Sequence, residues 1–136
     1  MPQETKQITL EWRDGLRFVG GEPGGPSVLI DGNAAEAPSP MLMLLLAAAS
    51  CSAADVVSIL QKMRVDLEQL RVEVAGVRRE EEPRRYIALS LVYRISGSGI
   101  DETKARRAID LSLDKYCSVI HSLASDIKVS YELRLG

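Results

Sequence analysis

The residues best suited to chemistry in this chain are its two cysteines, Cys51 and Cys117, 66 positions apart. A thiolate is a nucleophile that peroxides oxidise stepwise, and two thiols that meet can close a disulfide. Core filling is the plainer use, since free Cys is among the most buried residue types. Neither cysteine belongs to a Cys-x-x-Cys or His-containing metal pattern, and there is a single histidine, so no metal site is expected from one chain. Asp55 follows Cys51 by four positions, which on a helix puts its carboxylate on the same face. A carboxylate in an apolar helix is costly unless paired, so a structural salt bridge or hydrogen bond is its plainest role. Asp55 alone would raise the Cys51 pKa; a reactive thiolate needs a cation as well. Arg13 and Arg17, near an Asp14-Gly15 turn, are the candidates. His121, one turn after Cys117, could act similarly there, although a lone helical histidine is more often structural. Trp12 and Tyr116 read as core or interface aromatics.

Cys51 must be carried by the stretch Pro40 to Met63, PMLMLLLAAASCSAADVVSILQKM. Pro40 pre-sets a helix start, Ser39 is its N-cap, and Leu, Met and Ala fill the first half. Between Met41 and Ala54 there is no charge. A helix apolar on every side is buried all round. The uncharged run is shorter than the roughly 20 residues a membrane span needs, so the stretch reads as a core helix.

Around it the pattern gives strands. Lys6 to Trp12 alternates, with Ile8, Leu10 and Trp12 on one half-buried face. Asp14-Gly15 is a hairpin signal, and the chain returns through Leu16 to Val19. The Gly- and Pro-rich run Gly20 to Pro26 is a loop without the spacing of a phosphate loop. Ser27 to Ile30 is a third strand. Leu70, Val72 and Val74 alternate in a fourth. Arg78 to Arg85 is a charged, solvated turn. Tyr86 to Ile95 is a fifth strand, with Ile87, Leu89, Leu91, Tyr93 and Ile95 on one face. Asp101 caps a second helix running to about Leu123, with Ala105, Ile109, Leu113, Tyr116, Cys117 and Ile120 as its apolar stripe. Asp126 to Leu135 is the last strand. The order β-β-β-α-β-β-α-β implies an α+β fold, with antiparallel sheets packed on a long central helix.

The chain has 136 residues, the size of a single domain spanning 1–136. The formal net charge of -2, with basic residues scattered among acids, gives no case for nucleic acid or an anionic membrane. No apolar leader opens the sequence, and the expected location is cytoplasmic. There two cysteines are free thiols or a redox pair rather than a structural bridge. A sheet covers one side of a helix only, so two chains packing such helices together, a homodimer, would complete the burial.

The segments SPMLMLLLAAASCSAADVVSIL, RREEEPRRYIALSLVYRISG and DLSLDKYCSVIHSL together resemble the OsmC/Ohr family of thiol-dependent hydroperoxide-detoxifying proteins, and more narrowly its OsmC-like subgroup. The likeness covers nearly the whole chain. It implies an intertwined homodimer with two sites at the interface and the long helices at its centre. It implies that Cys51 attacks an organic hydroperoxide and becomes a sulfenic acid, and that Cys117 resolves it to a disulfide. An external thiol or a lipoyl-type dithiol then re-reduces the pair, with no bound cofactor. The apolar surroundings favour organic peroxides. Arg13 matches the family's Arg-Asp-Gly turn, with Arg17 as alternative. The Glu that the family carries just after the helix-starting proline is absent, the positions being Met41 and Leu42; Asp55 is the carboxylate available in its place. The alternative function is a non-enzymatic dimer that binds a small apolar ligand or senses oxidants.

Overall fold

The computed structural model describes residues 2–136. The chain divides into two compact units, Met1–Leu44 and Leu45–Gly136.

The first unit holds an antiparallel meander of β1 (Thr9–Asp14), β2 (Arg17–Gly21) and β3 (Ser27–Asp31), in that order across the sheet. Asp14-Gly15 turns β1 into β2, Gly15 taking a positive φ of 49° that a side chain would strain. The Trp12 indole N–H donates to the Gly15 carbonyl at 2.9 Å. Arg17 bonds both Asp14 and Glu36. The buried Asp31 carboxylate accepts backbone N–H bonds from Asn33, Ala35 and Glu36, which fixes the connector after β3. Those bonds, Glu36 first, hold its pKa below the ordinary 3.8. Ile8, Leu10 and Trp12 were expected to be half buried. In the single chain all three are exposed, Trp12 at 67%.

Helix α1 runs Pro40–Lys62. It starts where the proline and cap place it, the Leu42 N–H donating to the Ser39 hydroxyl at 3.3 Å. It is not buried all round. One stripe at spacing four, Ala48, Ser52, Val56 and Leu60, is buried, while Leu42 and Leu46 stand out. By length and mean hydropathy (2.0) α1 would suit a membrane, and only 17% of that most apolar window is buried. The charge of Asp55 and the polar bonds of Ser52 described below belong to a helix packed on a sheet.

In the second unit β4 (Asp66–Arg78) and β5 (Tyr86–Ser98) form a long antiparallel hairpin, with β6 (Lys128–Leu135) on the other side of β5. The fold is α+β as expected, but this sheet is mixed: β6 runs parallel to β5. The helical crossover between them carries the chain back to its starting end, which makes the next strand parallel. Leu89, Leu91, Tyr93 and Ile95 line the buried face of β5. Ile87 does not join them. The register shifts between Val77 and Arg78, so two residues of β5 oppose one step of β4. That bulge turns Ile87 outward and buries Tyr86. The Tyr86 ring lies over Gly76, where a Cβ would overlap it. The core is this face together with Val56, Leu60, Ala105, Ala108 and Ile109.

The second helix is interrupted. α2 (Glu102–Leu111) is capped by Asp101, whose carboxylate accepts the Lys104 N–H at 2.8 Å. A π-helical turn over Ser112–Tyr116 follows, closed by the Cys117 N–H on the Ser112 carbonyl at 2.7 Å. Cys117 itself is extended (φ -70°, ψ 99°) and opens the short α3, Ser118–Ser122. The stripe expected on a continuous helix therefore changes: Ser112 and Cys117 are buried, and Tyr116 is half exposed.

Candidate active site

The π turn is what brings the second cysteine into place. On an α-helix residues five apart point about 140° away from each other, at about 100° per residue. An i→i+5 bond stacks them instead. Ser112 and Cys117 thus face the same side, toward α1, and both are fully buried.

Both cysteines are free thiols, Cys51 partly accessible and Cys117 buried. The Cys117 thiol lies near enough to that of Cys51 for the two to interact. Burial pushes it up from 9.0 to about 11; the Ile120 N–H opposes this, and Cys51 and Asp55 add to it. It is a protonated thiol at neutral pH. The two sulfurs singled out in the sequence are therefore neighbours with unequal access to solvent.

A buried polar chain runs beside them. Tyr93 OH and Ser52 Oγ are 2.6 Å apart, Ser52 Oγ and Ser112 Oγ are 2.8 Å apart, and Ser112 Oγ donates to Asp55 Oδ2 at 3.0 Å. The Asp55 carboxylate, expected to need a partner, finds it in a serine hydroxyl. Burial raises the Tyr93 phenol from 10.0 to about 12; the Ser52 bond opposes this, and Cys117 and Asp55 raise it further. Tyr93 and Ser112 were not singled out as site residues. Alternation placed Tyr93 on the inner face of β5, but nothing in a strand pattern names a polar partner on a distant helix.

Asp55 also opens onto a cleft of about 500 Å³ lined by Ile59, Lys62, Met63, Arg107, Leu111 and Tyr116. Lys62 and Arg107 carry no ion pair among the described residues. His121 lies away from the thiol pair in its bonding: its Nε2 pairs with the Leu113 carbonyl at 3.0 Å. Arg13 and Arg17 belong to the first unit. Arg17 is held there by its two carboxylates, which raise its pKa, the Asp14 bond first. Arg13 lies exposed on β1.

Two interacting thiols, a helical carboxylate and an α+β frame of this topology define a class. The family model for the OsmC-like protein matches residues 32–132, and the chain belongs to that family. It is 43% identical over 130 residues to Protein YhfA of Escherichia coli strain K12, covering 93% of this chain and 97% of that one. A crystal structure of a hypothetical protein from Aquifex aeolicus VF5 superposes with a TM-score of 0.84 at 28% identity, covering 98% of this chain and 99% of that one. An organic hydroperoxide resistance protein OsmC from Legionella pneumophila shares the fold, with a TM-score of 0.68 at 11% identity and coverage of 98% and 99%.

Proposed function

We propose that this chain is a homodimeric thiol peroxidase that reduces organic hydroperoxides in defence against oxidative and osmotic stress. One observation carries the reading: the partly accessible Cys51 thiol interacts with the buried, protonated Cys117 thiol. The Cys51 thiolate attacks the terminal peroxide oxygen, the O–O bond breaks, an alcohol leaves, and a sulfenic acid remains. The Cys117 sulfur then displaces the sulfenic oxygen as water and closes a disulfide. An external thiol or lipoyl-type dithiol returns both sulfurs to thiols by exchange, so no cofactor is bound. The hydroperoxide resistance named for the Legionella structure supports the same chemistry. Exposed apolar residues on α1 and β1, Leu46 and Trp12 among them, support the dimer, and a cytoplasmic location suits thiols that work reduced.

Treatment of the reduced protein with one equivalent of cumene hydroperoxide tests this. A Cys51–Cys117 disulfide by peptide mass spectrometry is the expected product. Thiols that stay reduced overturn the reading, as does a Cys51→Ser variant oxidised as fast at Cys117. The cleft beside Asp55, with Ile59, Met63 and Leu111 in its wall, favours a second reading, a binder of small amphipathic molecules. That reading predicts ligand uptake by a Cys51→Ser, Cys117→Ser variant with no loss of affinity.

A further inference from the structure

The hydrogen-bond chain beside the thiols has only one self-consistent direction. The Ser112 hydroxyl donates to Asp55 Oδ2 at 3.0 Å, the Ser52 carbonyl being a longer second acceptor at 3.5 Å. Ser112 then has no second hydrogen, and the Ser52–Ser112 bond must be donated by Ser52. Ser52 has spent its hydrogen as well, so Tyr93 donates to Ser52. Four residues from two helical segments and a strand are thereby ordered Tyr93→Ser52→Ser112→Asp55. The three hydroxyl residues are fully buried. The chain holds Asp55 by Oδ2 alone, and no described residue donates to Oδ1.

The second chemical step needs such a group. A buried thiol must lose its proton to attack, and the departing sulfenic oxygen must gain one to leave as water. No proton is released overall, so one base that takes a proton and gives it back suffices. Asp55 stands one helical turn from Cys51 and within electrostatic reach of Cys117.

We propose that Asp55 is the acid–base group of disulfide closure, with Ser112 as the positioning residue that turns its free oxygen to the sulfurs, a role that rests on the two-step thiol chemistry proposed above. The Cys117 thiol gives its proton to Asp55 Oδ1. Its sulfur bonds to the Cys51 sulfur as the S–O bond breaks, and the Asp55 proton leaves with the hydroxide as water. The Cys117 sulfur is oxidised by one electron equivalent and the Cys51 sulfur reduced by one. The charged or titratable groups around Asp55 are Cys51 and Lys62 on α1, Arg107 on α2, Tyr116 on the π turn, Cys117, and Tyr93 on β5.

The test times the two steps separately. The reduced protein is mixed with cumene hydroperoxide, sulfenic acid is trapped with dimedone, and the disulfide is followed by loss of free thiol. General acid–base groups commonly contribute at least about a hundredfold, so Asp55→Asn is expected to slow closure at least about tenfold more than it slows sulfenic acid formation. Ser112→Ala shifts the same ratio in the same direction by a smaller factor, and Ser112→Thr, which keeps the hydroxyl, restores it. A second arm needs no peroxide: Cys51 is converted to its mixed disulfide with 5-thio-2-nitrobenzoate, and release of the coloured thiol by Cys117 is followed against pH. Slower release in Asp55→Asn, its rate rising with pH where wild type is flat, supports the assignment. Equal release rates, or equal slowing of both steps, overturn it. Should Asp55→Asn not fold, the Ser112→Ala and Ser112→Thr pair decides by the same ratio. If wild type forms no sulfenic acid the peroxidase reading falls, and the mixed-disulfide arm still rules on Asp55.

Discussion

Ser52 and Ser112 meet through their hydroxyls at 2.8 Å across 60 residues of chain, fully buried, and tie the central helix to the π turn. Ser52 follows Cys51 directly, and Ser112 begins the turn that ends at Cys117. The contact that joins the two elements thus also sets the relative position of the two thiols.

Removing the middle of that chain should cost stability. Ser52→Ala leaves a buried phenol and a buried serine each short of a partner. An unsatisfied buried polar group costs about 1–3 kcal/mol, and the loss is expected in that range by urea denaturation. Tyr93→Phe in the Ser52→Ala background is expected to cost less than Tyr93→Phe alone, because the orphaned hydroxyl is already without its acceptor.

The shifts of Cys117 and Tyr93 predict a fall in stability on the alkaline side. Both groups bind their proton more tightly folded than unfolded. The unfolded chain loses the Cys117 proton near 9.0 and the folded one near about 11; for Tyr93 the pair is 10.0 and about 12. The unfolded state therefore binds fewer protons in that window, and unfolding becomes easier as pH rises. Stability is expected to be flat in this respect below pH 9 and to drop between about 9 and 12. Thermal melts against pH check it, and Cys117→Ala should flatten the lower part of the slope.

Much of this frame could be read from sequence. Pro40, Ser39 and Asp101 announced their helices because capping is local chemistry, and Asp14-Gly15 announced its turn for the same reason. The pairing of Cys51 with Cys117 came from a resemblance rather than from spacing. The break at Cys117 was not legible: no Gly or Pro marks it, and a π turn differs from an α turn by one shifted hydrogen bond. The bulge that turns Ile87 outward is set by pairing with β4, which a single strand does not show. The parallel course of β6 follows only once its crossover is counted. Ser112 passed unnoticed because it is polar: seven positions after Ala105 and three after Ile109 it falls on the apolar face, but the pattern does not say which groups a hydroxyl there would bond.

The two arginines of the hairpin should separate by what they already hold. Arg17 carries Asp14 and Glu36, so Arg17→Ala is expected to lower the melting temperature, with an effect that shrinks in high salt. Arg13 carries no ion pair among the described residues. Arg13→Ala is expected to leave the melt unchanged at any salt concentration, which thermal melts of the two variants side by side check.

The exposed side of α1 should be where two chains meet. Leu42 is 45% and Leu46 52% exposed on a helix whose other side is packed on its own sheet. Apolar residues spaced four apart on a helix form one continuous stripe, and an unpaired stripe of this kind is the surface a second copy covers. Light scattering is expected to give twice the chain mass of 14.9 kDa. Leu46→Glu places a charge in that stripe, and burying an unpaired carboxylate costs several kcal/mol, so dimer dissociation should strengthen by at least about a hundredfold. The far-ultraviolet spectrum of the variant should keep its helical signal, since Leu46 is not among the buried residues of the chain. A wild-type protein that sediments as a monomer at micromolar concentration would rule out the dimer and leave the thiol pair, which lies within one chain, intact.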